Sequence, residues 1–409
     1  MKQSQRLIKN TAMLYIMTAA KIIFPFLTLP YLTRVLSMEG YAVVSYGKSI
    51  VQYLQLFVDF GFILSATKAI VGANGDTDKM SGIVFNTILS RLLLAGICVV
   101  IMLTLIPFIP LLKYNLVYIL LAAIPVILSC FLTDYLFQGI EQMHEISIRF
   151  VVMKGISTAL TFIFVKSDAD ILYIPILDIL SSAIAVALVL VQLKKYKIHY
   201  VRPSIKIAFN QIKESFVYFA SNMATTAFGA LNTLLIGVFL PEAQIALWTV
   251  SLDIISAIQV MYSPIINGIY PEMVKTKSWS LLKRMMFIFM PLIFIGCILV
   301  YFLSDLALFI VGGAKYIEAR YVLRMLIPVL IFSFPGMLYG WPGLGAIDRS
   351  SQTTLTTFVA AIVQVFGLLL LIFFGNFTLI NIAILRGISE FCLFASRFGF
   401  CLKYRKEFQ

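Results

Sequence analysis

Histidine is scarce in this chain. Its 409 residues include two, and Asp, Glu, Lys and Arg together make up only 12%. His144 and His199 both fall in loops, so no histidine-based metal site is expected. The five cysteines, at 98, 130, 297, 392 and 401, lie in or beside apolar segments and form no CxxC. They read as small hydrophobes, which excludes a disulfide framework and a thiolate metal centre. No Walker A, GxSxG or HExxH motif occurs. Asp76 with Asp78, and Asp168 with Asp170, are solvated pairs without basic or metal-binding company. The expectation is therefore no enzyme, no metal and no cofactor. What is abundant is apolar surface: 61% of the residues are hydrophobic and the mean hydropathy is +0.96. A water-soluble domain holds about 45–50% apolar residues, so this chain needs lipid as its solvent.

A spanning helix needs about 20 apolar residues, which leaves room for about twelve spans and no large soluble domain. They are expected near 11–33, 41–63, 83–106, 114–137, 148–166, 169–193, 214–238, 243–266, 285–308, 325–346, 353–374 and 378–401. The first stretch carries Lys21 at its centre and lacks a small-x-small cleavage site, so it reads as an uncleaved span. The formal charge is +13. Most lysines and arginines gather in the loops of one side, with both termini on that side. This bias is the one cytoplasmic loops show, so no nucleic-acid partner is implied. The longest polar stretch is KKYKIHYVRPSIKIAFNQIKES, residues 194–215, which reads as a basic linker resting on anionic lipid.

The linker sits mid-chain and implies an N-terminal half at 1–193, a linker at 194–213 and a C-terminal half at 214–409. Sliding residues 8–59 onto 212–263 pairs Lys9 with Lys213, Leu36 with Leu240 and Gln55 with Gln259. The expected fold is all-α: about twelve membrane helices in two parallel six-helix halves around a central cavity.

Four spans carry polar stripes, and the four are repeat mates. The first bears Thr11, Thr18, Lys21, Pro25 and Thr28; the seventh bears Ser215, Asn222, Thr225, Gly229 and Asn232. The second bears Ser45, Lys48, Gln52, Gln55 and Asp59; the eighth bears Thr249, Asp253, Ser256, Gln259, Ser263 and Asn267. Their three-, four- and seven-residue steps put each set on one helical face. A charge at mid-membrane costs about 2.5–3.5 kcal/mol on insertion scales. The stripes must therefore face a wet cavity or act as interhelical glue. Lys21 is too deep to reach either surface, so it lines such a cavity or pairs with a buried acid. Lys48 and Arg34 lie further out, where snorkelling or interfacial anchoring competes with function. Asp59 and Asp253 read as coupling-cation sites or as salt-bridge partners. Arg386 and Glu390, one helical turn apart, read as a self-satisfied pair. Pro335-Gly336, Gly340 and Pro342-Gly343 break the tenth span, as a static kink or a bend used in transport.

Residues 27–70 carry Arg34-Val35-Leu36-Ser37, Gly40-Tyr41, Gly61 and Lys68. This run resembles the opening of bacterial lipid-linked oligosaccharide flippases, the O-antigen and capsule repeat-unit transporters. They belong to the multidrug/oligosaccharidyl-lipid/polysaccharide exporter superfamily. Ser37 stands where the family usually has Gly, and Lys68 where Arg is common. The resemblance implies transport of an undecaprenyl-pyrophosphate-linked repeat unit from the cytoplasmic to the outer leaflet of the bacterial inner membrane. It also implies alternating access, H+ or Na+ coupling, and polymerase and chain-length machinery as partners alongside membrane lipid. The implied substrate contacts are Lys21, Arg34, Lys48, Gln52, Gln55, Asn222, Asn232 and Gln259, with Asp59 and Asp253 as ion-coupling candidates. The competing readings are a cation-coupled multidrug exporter of the same superfamily and a membrane polysaccharide polymerase or ligase.

Overall fold

The structure, a computed structural model, describes residues 2–226 and 230–409, and every regular element among them is helical. Helices satisfy their own backbone groups, which hydrocarbon cannot do for them. Among the described residues eleven helices are long and apolar enough to cross a membrane. A shorter apolar helix, Ala230–Phe239, stands in the region of the expected seventh span. By internal packing the chain divides into two compact units, Met1–Met223 and Ala224–Gln409.

The first unit contains α1 (Lys2–Val35), α2 (Met38–Asp59), α3 (Phe62–Gly72), α4 (Thr77–Leu105), α5 (Leu116–Ser129), α6 (Asp134–Gly139), α7 (Met143–Phe164), α8 (Tyr173–Lys195) and most of α9 (Ile205–Thr226). Its polar caps follow local chemistry. The Ser37 hydroxyl accepts from the Gly40 N–H at the start of α2, and Asp76 accepts from the N–H groups of Asp78 and Lys79 at the start of α4. Asp168, expected to be merely solvated, has a structural task. Its Oδ1 accepts the Ser37 N–H at 2.9 Å and lies 2.1 Å from where a side chain at Gly40 would begin. The Gly40 of the Gly-Tyr motif thus leaves room for this tie.

Helices α2 and α3 form one interrupted span. Phe60 and Gly61 adopt left-handed backbone conformations, with φ of 39° and 78°. Phe60 stacks on Phe219 of α9, with centroids 4.3 Å apart. A Cβ at Gly61 would sit 2.5 Å from the Tyr218 Cβ and 3.0 Å from the Phe219 backbone nitrogen. Both the dihedral and the space demand glycine there. Gly61→Ala is expected to destabilise the protein by about 2–4 kcal/mol, combining left-handed strain with overpacking. Thermal unfolding of the detergent-purified variant against wild type measures this.

The second unit contains α10 (Ala230–Phe239), α11 (Glu242–Val260), α12 (Tyr262–Thr276), α13 (Trp279–Phe302), α14 (Ile327–Leu338), α15 (Ser350–Phe373) and α16 (Leu379–Lys403). Helices α11 and α12 also form one span interrupted near its middle. Met38–Gly72 and Glu242–Thr276 are each 35 residues long and begin 204 positions apart. That offset is the one at which the two polar stripes align in sequence.

The basic stretch expected to be a surface linker is tied to α4. The backbone N–H of Ser204 donates to the Asn86 side chain at 2.8 Å, and that of His199 donates to the Ser81 hydroxyl at 3.1 Å. The Ser90 hydroxyl donates to the Ala208 carbonyl and to the Gln211 side chain.

Candidate functional site

A cavity of about 820 Å³ lies inside the first unit, walled by α1, α2, α3, α5, α6, α7 and α8. Four cations line it, Lys21, Lys48, Arg149 and Lys154, together with three carboxylates, Asp59, Asp134 and Asp178. Gln55, Ser129, Gln138, Ser181 and Ser182 add neutral polar groups. A cavity that gathers seven charged side chains inside an apolar protein is where a hydrophilic ligand would be taken.

Each carboxylate has a cationic neighbour. Asp59 accepts from Arg91 at 2.6 Å and from the Gln55 amide at 2.8 Å. Asp134 accepts from Arg149, whose other amine reaches Gln192 at 3.2 Å. Asp178 accepts from the Ser157 hydroxyl at 2.8 Å and faces Lys154 at 3.4 Å. Lys21 is exposed along α1, with its ammonium 5.5 Å from the centre of the Phe150 ring. Among the described residues it forms no ion pair, so its positive charge is offered to the cavity.

The structure brings together four of the residues singled out from sequence: Lys21, Lys48, Gln55 and Asp59. Asp59 is held by Arg91, so a coupling cation there would compete with a guanidinium already in place. Arg34 ends α1, exposed and outside the cavity lining, and Gln52 and Asn222 are likewise exposed away from it. Asn232 does not face a wet space. It is fully buried in the second unit, where it accepts from the Gln364 amide at 2.9 Å, and the Ser389 hydroxyl donates to Gln364 at 2.7 Å. That chain across α10, α15 and α16 is interhelical glue. Gln259 and Asp253 lie half-buried on α11 of the second unit. Side chains of Thr11 and Thr225, and Gly229 altogether, lie outside the described residues.

Arg149, Lys154 and Asp134 are not among the substrate contacts expected from sequence. The structure puts all three on the cavity wall. A usable signal existed: Arg149 and Lys154 lie within the apolar run of α7, and Asp178 within that of α8. Charges inside spans are costly and seldom idle.

The broken tenth span is a defined structure. After α14, Tyr339–Leu344 is π-helical and Gly345–Ile347 is a 3-10 turn. Pro335 and Pro342 each lack an N–H to donate to the helix ladder. The guanidinium of Arg397 on α16 donates to the Gly336 carbonyl at 2.7 Å, and to Thr356 and Thr357 at 3.3 and 3.0 Å. A side chain at Gly340 would begin 2.9 Å from that guanidinium.

Interrupted membrane spans, buried charges inside the bundle and a cavity lined by charged side chains define the class: a multi-pass helical membrane protein. The chain is similar over its length to solved transporters. One is the inward-facing conformation of a multidrug resistance MATE family transporter of the MOP superfamily. It is 14% identical, with a TM-score of 0.63, covering 96% of this chain and 95% of that one. Another is a MOP superfamily transporter from Pyrococcus furiosus, 13% identical with a TM-score of 0.50, covering 98% and 95%. Residues 7–277 match the model of the polysaccharide biosynthesis protein family, and the chain belongs to that family. It is 29% identical over 276 residues to a "Putative O-antigen transporter" of Shigella dysenteriae, covering 66% of this chain and 68% of that protein. A protein of the same name from Escherichia coli strain K12 is 24% identical over 290 residues, covering 68% of each.

Proposed function

We propose that the protein is a flippase for an undecaprenyl-pyrophosphate-linked oligosaccharide repeat unit, moving it from the cytoplasmic to the outer leaflet of the bacterial inner membrane. The observation that carries the reading is the cavity of the first unit, with Lys21 and Lys48 beside neutral amides and hydroxyls. A pyrophosphate is an anion that ammonium groups bind by charge-assisted hydrogen bonds. Gln55, Ser129 and the two serines of α8 suit sugar hydroxyls, which both donate and accept. The lipid tail remains in the bilayer throughout. A cationic drug would instead meet the positive charge of Lys21, which weighs against a multidrug exporter. The names of the two curated relatives support a surface-polysaccharide substrate.

Alternating access between the two halves fits the paired interrupted spans, and Asp253 is the candidate for H+ or Na+ coupling. The basic flanks support cytoplasmic termini. Arg34, Gln52, Asn222 and Gln259 belong to the proposed path only in another state of the transport cycle. Polymerase and chain-length machinery are the partners that would consume the product.

Leaflet-resolved labelling of lipid-linked saccharide in a strain lacking the gene tests the function. Cytoplasmic-leaflet accumulation, relieved by restoring the gene, is the expected result. Normal outer-leaflet labelling in the deletion strain, accompanied by loss of dye efflux, would transfer the protein to the drug exporters.

A further inference from the structure

The three ion pairs of the cavity wall are not built alike. Two are anchored by arginine. Arg91 donates to Asp59 at 2.6 Å and to the Leu132 carbonyl at 3.0 Å, and its side chain is 6% exposed. Arg149 donates to Asp134 and to the Gln192 side chain, and is 3% exposed. Each guanidinium is sunk into the wall and held by a second acceptor, so neither is released to a ligand. The third pair is loose. Lys154 stands 3.4 Å from Asp178 and is 41% exposed, whereas a good charge-assisted bond measures about 2.7–2.9 Å. Asp178 has a closer donor in the Ser157 hydroxyl, at 2.8 Å. A pair this open to water holds its lysine weakly, and a stronger anion can take it.

Lys154 also stands near Lys21. Helices α1 and α7 lie side by side and run the same way. The Lys21 ammonium lies over the Phe150 ring, Phe24 comes within 3.6 Å of where a side chain at Gly155 would begin, and the Tyr31 hydroxyl donates to the Phe162 carbonyl. Phe150 and Lys154 are four residues apart on α7 and share a face. This register puts Lys154 within about one helical pitch, about 5 Å, of Lys21 along the helices. Both side chains line the same cavity. Two ammonium groups, one from each helix, therefore gather around Phe150. A pyrophosphate presents two adjoining anionic groups, and each accepts charge-assisted hydrogen bonds.

We infer that Lys154 is a second pyrophosphate contact, held in reserve by Asp178 and handed to the ligand when it enters. This rests on the flippase reading and adds a binding residue, and its control, to the same site. Lys154 joins Lys21 in holding the pyrophosphate. Asp178 is a positioning residue: it keeps the ammonium on the cavity wall while the site is empty, and its bond from Ser157 keeps it in place after Lys154 has moved. Because the ligand must displace the carboxylate, Asp178 limits affinity and takes the lysine back as the substrate leaves.

Equilibrium binding to the full chain purified in detergent provides the test. The ligand is an undecaprenyl-pyrophosphate disaccharide of neutral sugars, whose only anion is the pyrophosphate. Lys154→Ala, checked for monodispersity, is expected to weaken binding about tenfold, the loss of one charge-assisted hydrogen bond, and Lys154→Arg to recover most of it. Asp178→Asn is expected to tighten binding about threefold, a change opposite in direction to a folding defect. The double variant Lys154→Ala, Asp178→Asn is expected to bind as Lys154→Ala does, because the carboxylate acts through the lysine. Wild-type affinity in Lys154→Ala, an arginine variant as weak as the alanine one, or no tightening in Asp178→Asn overturns the exchange and leaves the flippase reading intact. Tightening that persists when Asp178→Asn is added to Lys154→Ala does the same. Failure of wild type to bind the lipid overturns the flippase reading, and this inference with it.

Discussion

Replacing Lys21 with Ala is expected to lower the rate of lipid-linked saccharide translocation roughly ten- to a hundredfold, without lowering the amount of protein in the membrane. Lys21 lines the cavity, lies over Phe150 and has no ion-pair partner among the described residues, so little in the fold depends on its charge. A charged hydrogen bond contributes about 1.5–3 kcal/mol, and each 1.36 kcal/mol on a barrier is about tenfold in rate. Lys21→Arg keeps the charge and is expected to retain most activity. Lys21→Glu adds like-charge repulsion and is expected to fall below Lys21→Ala. Leaflet-resolved labelling in the complemented deletion strain, with quantitation of the membrane-inserted protein, separates transport from expression. An alanine variant that restores outer-leaflet labelling as wild type does would remove Lys21 from the substrate path.

The second large effect is on stability. Arg386→Met is expected to destabilise the protein by about 3–5 kcal/mol, because removing one member of a buried ion pair strands the other charge. On α16 the Arg386 guanidinium donates to Glu390 at 2.6 Å, and the two side chains are only 11% and 8% exposed. The paired replacement Arg386→Met, Glu390→Leu removes both charges and leaves apolar groups of similar volume. It is expected to recover most of the loss, since a buried pair often breaks even against a hydrophobic substitute. Unfolding curves of the two variants and wild type in one detergent decide the matter. A double variant as unstable as the single one would show that the guanidinium matters through its other contacts.

The two effects illustrate different uses of charge in a membrane protein. Arg386 and Glu390 could be matched in sequence because an i,i+4 spacing on a helix puts them together whatever surrounds the helix. The partners of Asp59, Asp134 and Asp178 could not. Arg91 lies 32 positions from Asp59 and Lys154 lies 24 from Asp178, on separate helices. Such pairing depends on how helices rotate and dock, and no local period encodes it.

Composition alone determined the solvent. A mean hydropathy of +0.96 with 12% charged residues has no water-soluble solution, so a helical membrane bundle followed from the cost of unpaired backbone in lipid. Helical period places Lys48, Gln55 and Asp59 on one face, and the sequence offset of 204 is also the offset between the two interrupted spans. Gly40 and Gly61 were visible as a motif, but their reasons, Asp168 and the α9 backbone, lie far away in sequence. Tertiary structure alone decided that Asn232 is sealed against Gln364 while Lys21 opens into a cavity. Both are polar residues on apolar helices, and their period is the same. Which polar face becomes glue and which meets water is settled by what packs opposite, and that is a property of neighbouring helices rather than of the residue's own.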